Sequence, residues 1–226
     1  SGNQVSGDRK VSADQGTPEW LMERCGKVTA SRMADVMATI KTGEAASRAN
    51  YRAELVAQRL TGQLEAGFTN AAMVWGTETE PFARATYEIK YGVIVEEVGF
   101  VPHPTIMMSG ASPDGLVGSD GMIEIKCPNT ATHIAFLLDG KIPLKYQLQM
   151  AWQMACCGRQ WVDYASFDPR MPEYLRLKVV RYVAADAGIP ALEAAVKAFI
   201  AEIDATVAAL EKISTETEPR TLAEAM

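Results

Sequence analysis

The chain has 226 residues, 48% hydrophobic and 22% charged, which suits one globular α/β domain, with or without arms, and a sizeable core. It holds no run of about 18 apolar residues and no visible signal-peptide pattern, so a transmembrane helix is excluded and a cytoplasmic location is expected. The net charge of −6 argues against a nucleic-acid binder if taken alone. Residues 186–226, however, carry −5 of it, leaving −1 on residues 1–185.

Residues 1–16 are polar and are expected to form a disordered N-terminal tail. Residues 17–226 are expected to form a single domain ending in a long helix. Thr17-Pro18-Glu19 is a helix start, with Thr as N-cap, Pro in the first turn and an acid beside it. That helix should reach about Arg24. Val28-Thr29-Ala30-Ser31 leads into a second helix carrying Met33, Val36 and Met37. Residues 41–50 read as a polar loop. Tyr51, Leu55, Val56 and Leu60 have helical spacing, closed by Thr61-Gly62.

Residues 70–91 read as helix, anchored by Trp75, Phe82 and Tyr87, with Pro81 marking a new first turn or a kink. The period then changes. Val93–Val95, Gly99–Val101 and Thr105–Ser109 are β-like. Gly118-Ser119-Asp120-Gly121 is a turn between two strands, the second being Met122–Cys127. Residues 142–157 return to helix. Trp161–Phe167 and Tyr174–Val183 are strands, and Pro190 to about Ile213 is an amphipathic helix. The order predicts an α+β or α/β fold with a mixed central sheet.

The four cysteines make no metal-binding or redox spacing and are expected to be reduced. With only two histidines, a metal here should be held by carboxylates. Asp114, Glu124 and Lys126 supply the pattern. On a strand, Glu124 and Lys126 share a face while Ile125 turns to the core. The Gly118–Gly121 turn folds Asp114 back towards Glu124. Two carboxylates and water make the hard oxygen site that Mg²⁺ or Mn²⁺ prefers. A nearby lysine can assist an attacking water and neutralise phosphoryl charge. Each piece alone is commonplace: Glu-x-Lys is often a solvated pair, and Asp between Pro and Gly is often a turn residue.

The composite Pro113-Asp114 … Glu124-x-Lys126 resembles the PD-(D/E)xK nuclease superfamily. The wider pattern resembles the phage lambda-type exonucleases, or YqaJ-like viral recombinases. Its pieces are Glu19-Trp20-x3-Arg24, Val28-Thr29-Ala30-Ser31, Trp75-Gly76-x3-Glu80-x3-Arg84, Ser112-Pro-Asp-Gly115, Glu124-Ile-Lys126-Cys-Pro128, Gln149 and Asp168-Pro-Arg170-Met171. The resemblance implies a restriction-endonuclease-like core, with a central mixed sheet flanked by helices. Asp114, Glu124, Glu80 and the Ile125 carbonyl would hold Mg²⁺ (Mn²⁺ substituting), as two ions per site. Lys126 would assist the attacking water, with Gln149 beside it.

Arg24, Ser31 and Ser112 would bind a 5′-terminal phosphate. Arg24 offers a bidentate fork, and Ser31 falls where a helix N-terminus would favour an anion. Met73 would sit where the family places a wedge at the duplex end. The implied activity is a 5′→3′ exonuclease that degrades one strand of linear double-stranded DNA. It would release 5′-mononucleotides and leave a 3′ overhang. Also implied are a homotrimer, a single-strand DNA annealing protein as partner, and a phage or prophage origin in a bacterial host. The alternatives are an endonuclease or an exonuclease of other polarity on the same core, or a non-catalytic DNA-binding module. One departure stands out: Pro104 occupies a position where the family tends to carry an acid.

Overall fold

A computed structural model describes residues 12–64 and 69–213. Residues 1–11 of the expected tail lie outside the described residues, as do residues 214–226. Helix α1 (Pro18–Arg24) starts as its sequence requires, with the Thr17 hydroxyl accepting from the Trp20 N–H. Strand β1 (Val28–Thr29) runs into a 3-10 turn (Ala30–Arg32) and the short helix α2 (Met33–Val36). Helix α3 (Ala46–Thr61) and helix α4 (Ala71–Tyr91) follow. Asn70 caps α4 by accepting from the Met73 N–H at 2.9 Å.

The strands are β2 (Val95–Glu96), β3 (Val101–Pro102), β4 (Ser109–Ala111), β5 (Gly115–Val117) and β6 (Gly121–Lys126). Helices α5 (Thr130–Asp139) and α6 (Leu144–Cys157) come next. Strands β7 (Trp161–Phe167) and β8 (Leu177–Val183) and helix α7 (Ile189–Ile213) close the chain. The main sheet has the order β2-β5-β6-β7-β8, with β6 and β7 parallel and the other pairs antiparallel. A small sheet, β1-β4-β3, sits apart. This is the mixed α+β architecture that the element order predicts. No helix among the described residues is long and apolar enough to cross a membrane.

The main sheet is buried on both faces. Ile123 and Ile125 pack with Ala83 and Tyr87 of α4. The alternate residue Met122 packs with Met150 and Met154 of α6 and Phe136 of α5. Residue period two on β6 therefore sends Glu124 to the α6 side. A third cluster joins Tyr51 and Leu55 of α3, Trp152 of α6 and Phe199 of α7.

Several elements differ from the sequence expectation. The expected 41–50 loop already contains the first turn of α3. Its polar residues Arg48 and Arg52 pair with Glu44 and with Glu202 of α7, so no apolar stripe announced it. Helix α5 was not expected at all; its signals were the Asn129 N-cap and Gly140 beyond its end. Pro81 neither restarts nor breaks α4, and Phe82 is no anchor, being 67% exposed. Of residues 105–109 only Ser109 is in a strand, and Glu173–Leu175 is a 3-10 turn ahead of β8. Residues 12–15 are packed against the body: Ser12 Oγ accepts from the Phe100 N–H and donates to Glu23. That docking needs Gly99, where a Cβ would stand 2.3 Å from the Ala13 carbonyl.

Candidate active site

The site forms just before β5 begins, where β6 runs on past it. The three-residue loop of the β5–β6 hairpin opens with Gly118 at φ 56° and sets Gly115 opposite Ile123. Asp114, one residue before β5, therefore lies across from Glu124. Its Oδ2 accepts from the Ile125 N–H at 2.6 Å. The N–H and C=O of one strand residue point to the same side. The Ile125 carbonyl thus also faces the gap that β5 leaves beside β6.

Glu124 is fully buried yet charged company surrounds it. Oε1 receives the Lys126 ammonium at 2.5 Å and the Gln149 amide at 2.7 Å. Oε2 receives the Gln153 amide at 2.7 Å. Burial works against the Lys126 ammonium, but Glu124 and Asp114 outweigh it and drive its pKa above the ordinary lysine range. Lys126 is a fixed cation, packed over the Tyr146 ring at 5.0 Å. Burial, then the Glu124 charge, pushes the Asp114 carboxyl well above the usual range. Glu80 on α4 is also raised, by burial first and by Glu124 among its neighbours. Its Oε1 is bonded to Arg84 at 2.6 Å, and Arg84 also reaches Glu97.

Among the described residues no three of His, Cys, Asp and Glu converge closely enough to form a metal-ligand cluster. Asp114 lies across from Glu124 and accepts from the Ile125 N–H, so the oxygens on this side are hard donors of the kind a small divalent cation takes. Mutual repulsion among Asp114, Glu124 and Glu80 is what such a cation would relieve.

Beside this cluster lies a cavity of about 130 Å³, lined by Gln15, Trp20, Arg24, Ser31, Ser112 and Gln149 among others. It adjoins another of about 270 Å³ that shares Trp20, Arg24 and Ser31. Arg24 stacks over Trp20 at 4.1 Å, and burial lowers its pKa with no carboxylate among the causes. The Trp20 indole N–H donates to Ser112 Oγ at 2.9 Å. Ser31 differs from its expected setting. It lies in the 3-10 turn before a helix of four residues, too short to act through a helix dipole. Hydroxyls and the guanidinium therefore make the cavity polar, without a helix terminus.

The structure brings Asp114, Glu124, Lys126 and Gln149 together, and gathers Arg24, Ser31 and Ser112 around one cavity that Gln149 also lines. Glu80 stands at the edge of the cluster, bonded to Arg84. Met73 is not among the cavity's lining residues. It is 53% exposed, two helical turns before Glu80 on α4. Gln153, Gln15 and Arg84 went unassigned from sequence. Gln15 donates to the carbonyls of Val98 and Pro113, each at 2.8 Å, and so buttresses the residue before Asp114. For Gln153 the available signal was its spacing of four from Gln149, which puts both amides on one helix face.

Comparison with known proteins gives a consistent set of likenesses. A family model described as the YqaJ-like viral recombinase domain matches residues 19–160. The alkaline exonuclease LHK-Exo from Laribacter hongkongensis is 53% identical, with a TM-score of 0.82, covering 88% of this chain and 98% of that one. The same enzyme solved in complex with dAMP gives the same values. A phage-related exonuclease from Haemophilus somnus 129PT is 16% identical over 81% of this chain and 96% of its own, with a TM-score of 0.64, a likeness of fold. No curated protein sequence matches.

Proposed function

Because the chain belongs to the YqaJ-like viral recombinase domain family, we propose that it is a divalent-metal-dependent 5′→3′ exonuclease acting on linear double-stranded DNA. The observation that carries this reading is the junction of two sites through Gln149. The amide bonds Glu124 in the carboxylate–lysine cluster and also lines the cavity of Arg24, Ser31 and Ser112. One site suits phosphodiester hydrolysis and the other a terminal phosphate.

In this reading Asp114, Glu124, Glu80 and the Ile125 carbonyl would hold Mg²⁺ or Mn²⁺, as two ions per site. A divalent cation there would polarise the phosphodiester and stabilise the leaving 3′ oxygen. Lys126, held on Glu124 Oε1, assists the attacking water. It orients the water and neutralises charge on the phosphoryl oxygens. Gln149 fixes Glu124 and borders the water's approach. Arg24, with Ser31 and Ser112, grips the 5′-terminal phosphate and sets the first nucleotide in register. Hydrolysis then releases a 5′-mononucleotide and leaves a new 5′-phosphate for the same pocket. The dAMP bound by LHK-Exo belongs to the product class this reaction implies.

The proposal includes Met73 as a wedge at the duplex end, a homotrimeric assembly, and a single-strand annealing protein receiving the 3′ overhang. These three rest on the family likeness. Incubating linear and covalently closed circular duplex with Mg²⁺ or with EDTA tests the reading. Mononucleotide release from linear DNA in Mg²⁺ alone is expected. Cutting of closed circles, or release in EDTA, would overturn it.

A further inference from the structure

Gln153 is buried completely, between Trp152 and Met154, which are buried too. Its amide donates to Glu124 Oε2. Its own Oε1 has no hydrogen-bond partner among the described residues. The amide cannot be reversed, because Oε1 would then face a carboxylate oxygen. A methionine of similar length would fill the space and strand no amide oxygen, but it would leave Glu124 Oε2 without its donor. What glutamine alone provides is a neutral donor to Oε2.

The two oxygens of Glu124 differ accordingly. Oε1 faces the partly exposed Lys126 ammonium and the cavity-lining Gln149. Oε2 faces Gln153 in the closed interior. Building on the proposed metal-dependent reaction, we infer that Gln153 is a positioning residue that locks Glu124 Oε2, so that Glu124 presents only Oε1 to a cation. A cation arriving from the open side meets Lys126 on Oε1 and leaves the Gln153 bond intact. With Gln153 removed, the carboxylate is free to turn about its last bond, and its buried charge loses a donor.

Gln153→Met tests this. Partners that hold a metal's ligand typically account for about 10–100-fold in affinity or activity. Mn²⁺ affinity by calorimetry should therefore fall about tenfold or more. The rate constant kcat should fall likewise, while KM for duplex ends stays within about twofold, because the end-binding cavity is untouched. The melting temperature without metal should fall modestly, since a buried carboxylate loses a donor; lost Mn²⁺ affinity and kcat at an unchanged KM are what a purely structural role would not give. Unchanged Mn²⁺ affinity and kcat in a folded variant would overturn the inference while leaving the proposed function standing. An unaltered protein that neither binds Mn²⁺ nor cleaves DNA would overturn both.

Should the variant fail to fold, the unaltered protein answers by NMR. The Gln153 side-chain amide should exchange slowly and shift on Mg²⁺ addition. An amide that exchanges freely, or ignores Mg²⁺, would overturn the assignment.

Discussion

At the residue scale, one buried carboxylate organises the site, and its partners divide the work. Lys126 supplies charge, Gln149 links the two sites, and Gln153 closes the inner side. Lys126→Ala should lower cleavage by about 10²–10³-fold, the usual cost of a lost transition-state donor, while duplex binding measured without metal persists. Equal loss of binding would contradict the role. Asp114→Asn should weaken Mn²⁺ binding in calorimetry yet leave the metal-free melting temperature level or higher, since a raised, repelled carboxyl is removed.

The same shifts set a pH dependence. Asp114 and Glu80 hold protons more tightly in the folded chain than carboxyls do when unfolded, near about 4. The stability they contribute is full below the unfolded value and is lost as pH rises through the raised folded values. In the proposed reaction a divalent cation would take the proton's place. Thermal melts should therefore show a larger Mg²⁺-induced gain at about pH 8 than at about pH 5. An equal gain at both would contradict the coupling.

At the scale of elements, the β5–β6 hairpin was legible because it is local. Gly118 through Gly121 fixes the turn, period two fixes the faces, and Asp114 then has one place to go. Gln153 and Arg84 were illegible because their meaning depends on which helix face meets which sheet face. Glu124 is buried because α6 covers that side of β6, which the strand pattern alone does not reveal. Helix α5 was missed because its caps, Asn129 and Gly140, frame a short segment without a long apolar stripe. The strap of residues 12–15 was masked by its polar composition, and only its seat at Gly99, Phe100 and Pro113 reveals it. Gln15→Ala removes one bond to Pro113, before Asp114, and one to Val98, each worth about 1 kcal/mol. It should lower cleavage about five- to thirtyfold, with the melting temperature nearly unchanged because Gln15 is exposed. Full activity in that variant would remove the strap from the site.

At the scale of the molecule, the mixed sheet with helices on both faces is the restriction-endonuclease-like core that the motifs implied, shared with the exonucleases it resembles. The net charge of −6 seemed to oppose DNA binding. Ion pairs such as Glu44 and Glu202 with Arg48 and Arg52 leave that balance unchanged, but −5 of it lies on residues 186–226. The active-site acids meet Lys126 and, in the proposed reaction, divalent cations. In the proposed reaction, direction depends on a cavity distinct from the carboxylate–lysine cluster. A linear duplex labelled at either end, bearing 5′-phosphate or 5′-hydroxyl termini, therefore tests the account most directly in Mg²⁺. The account predicts shortening from the 5′ end, faster with the phosphate, and loss of that preference in Arg24→Ala. Shortening from the 3′ end, or equal rates on both termini, would contradict it.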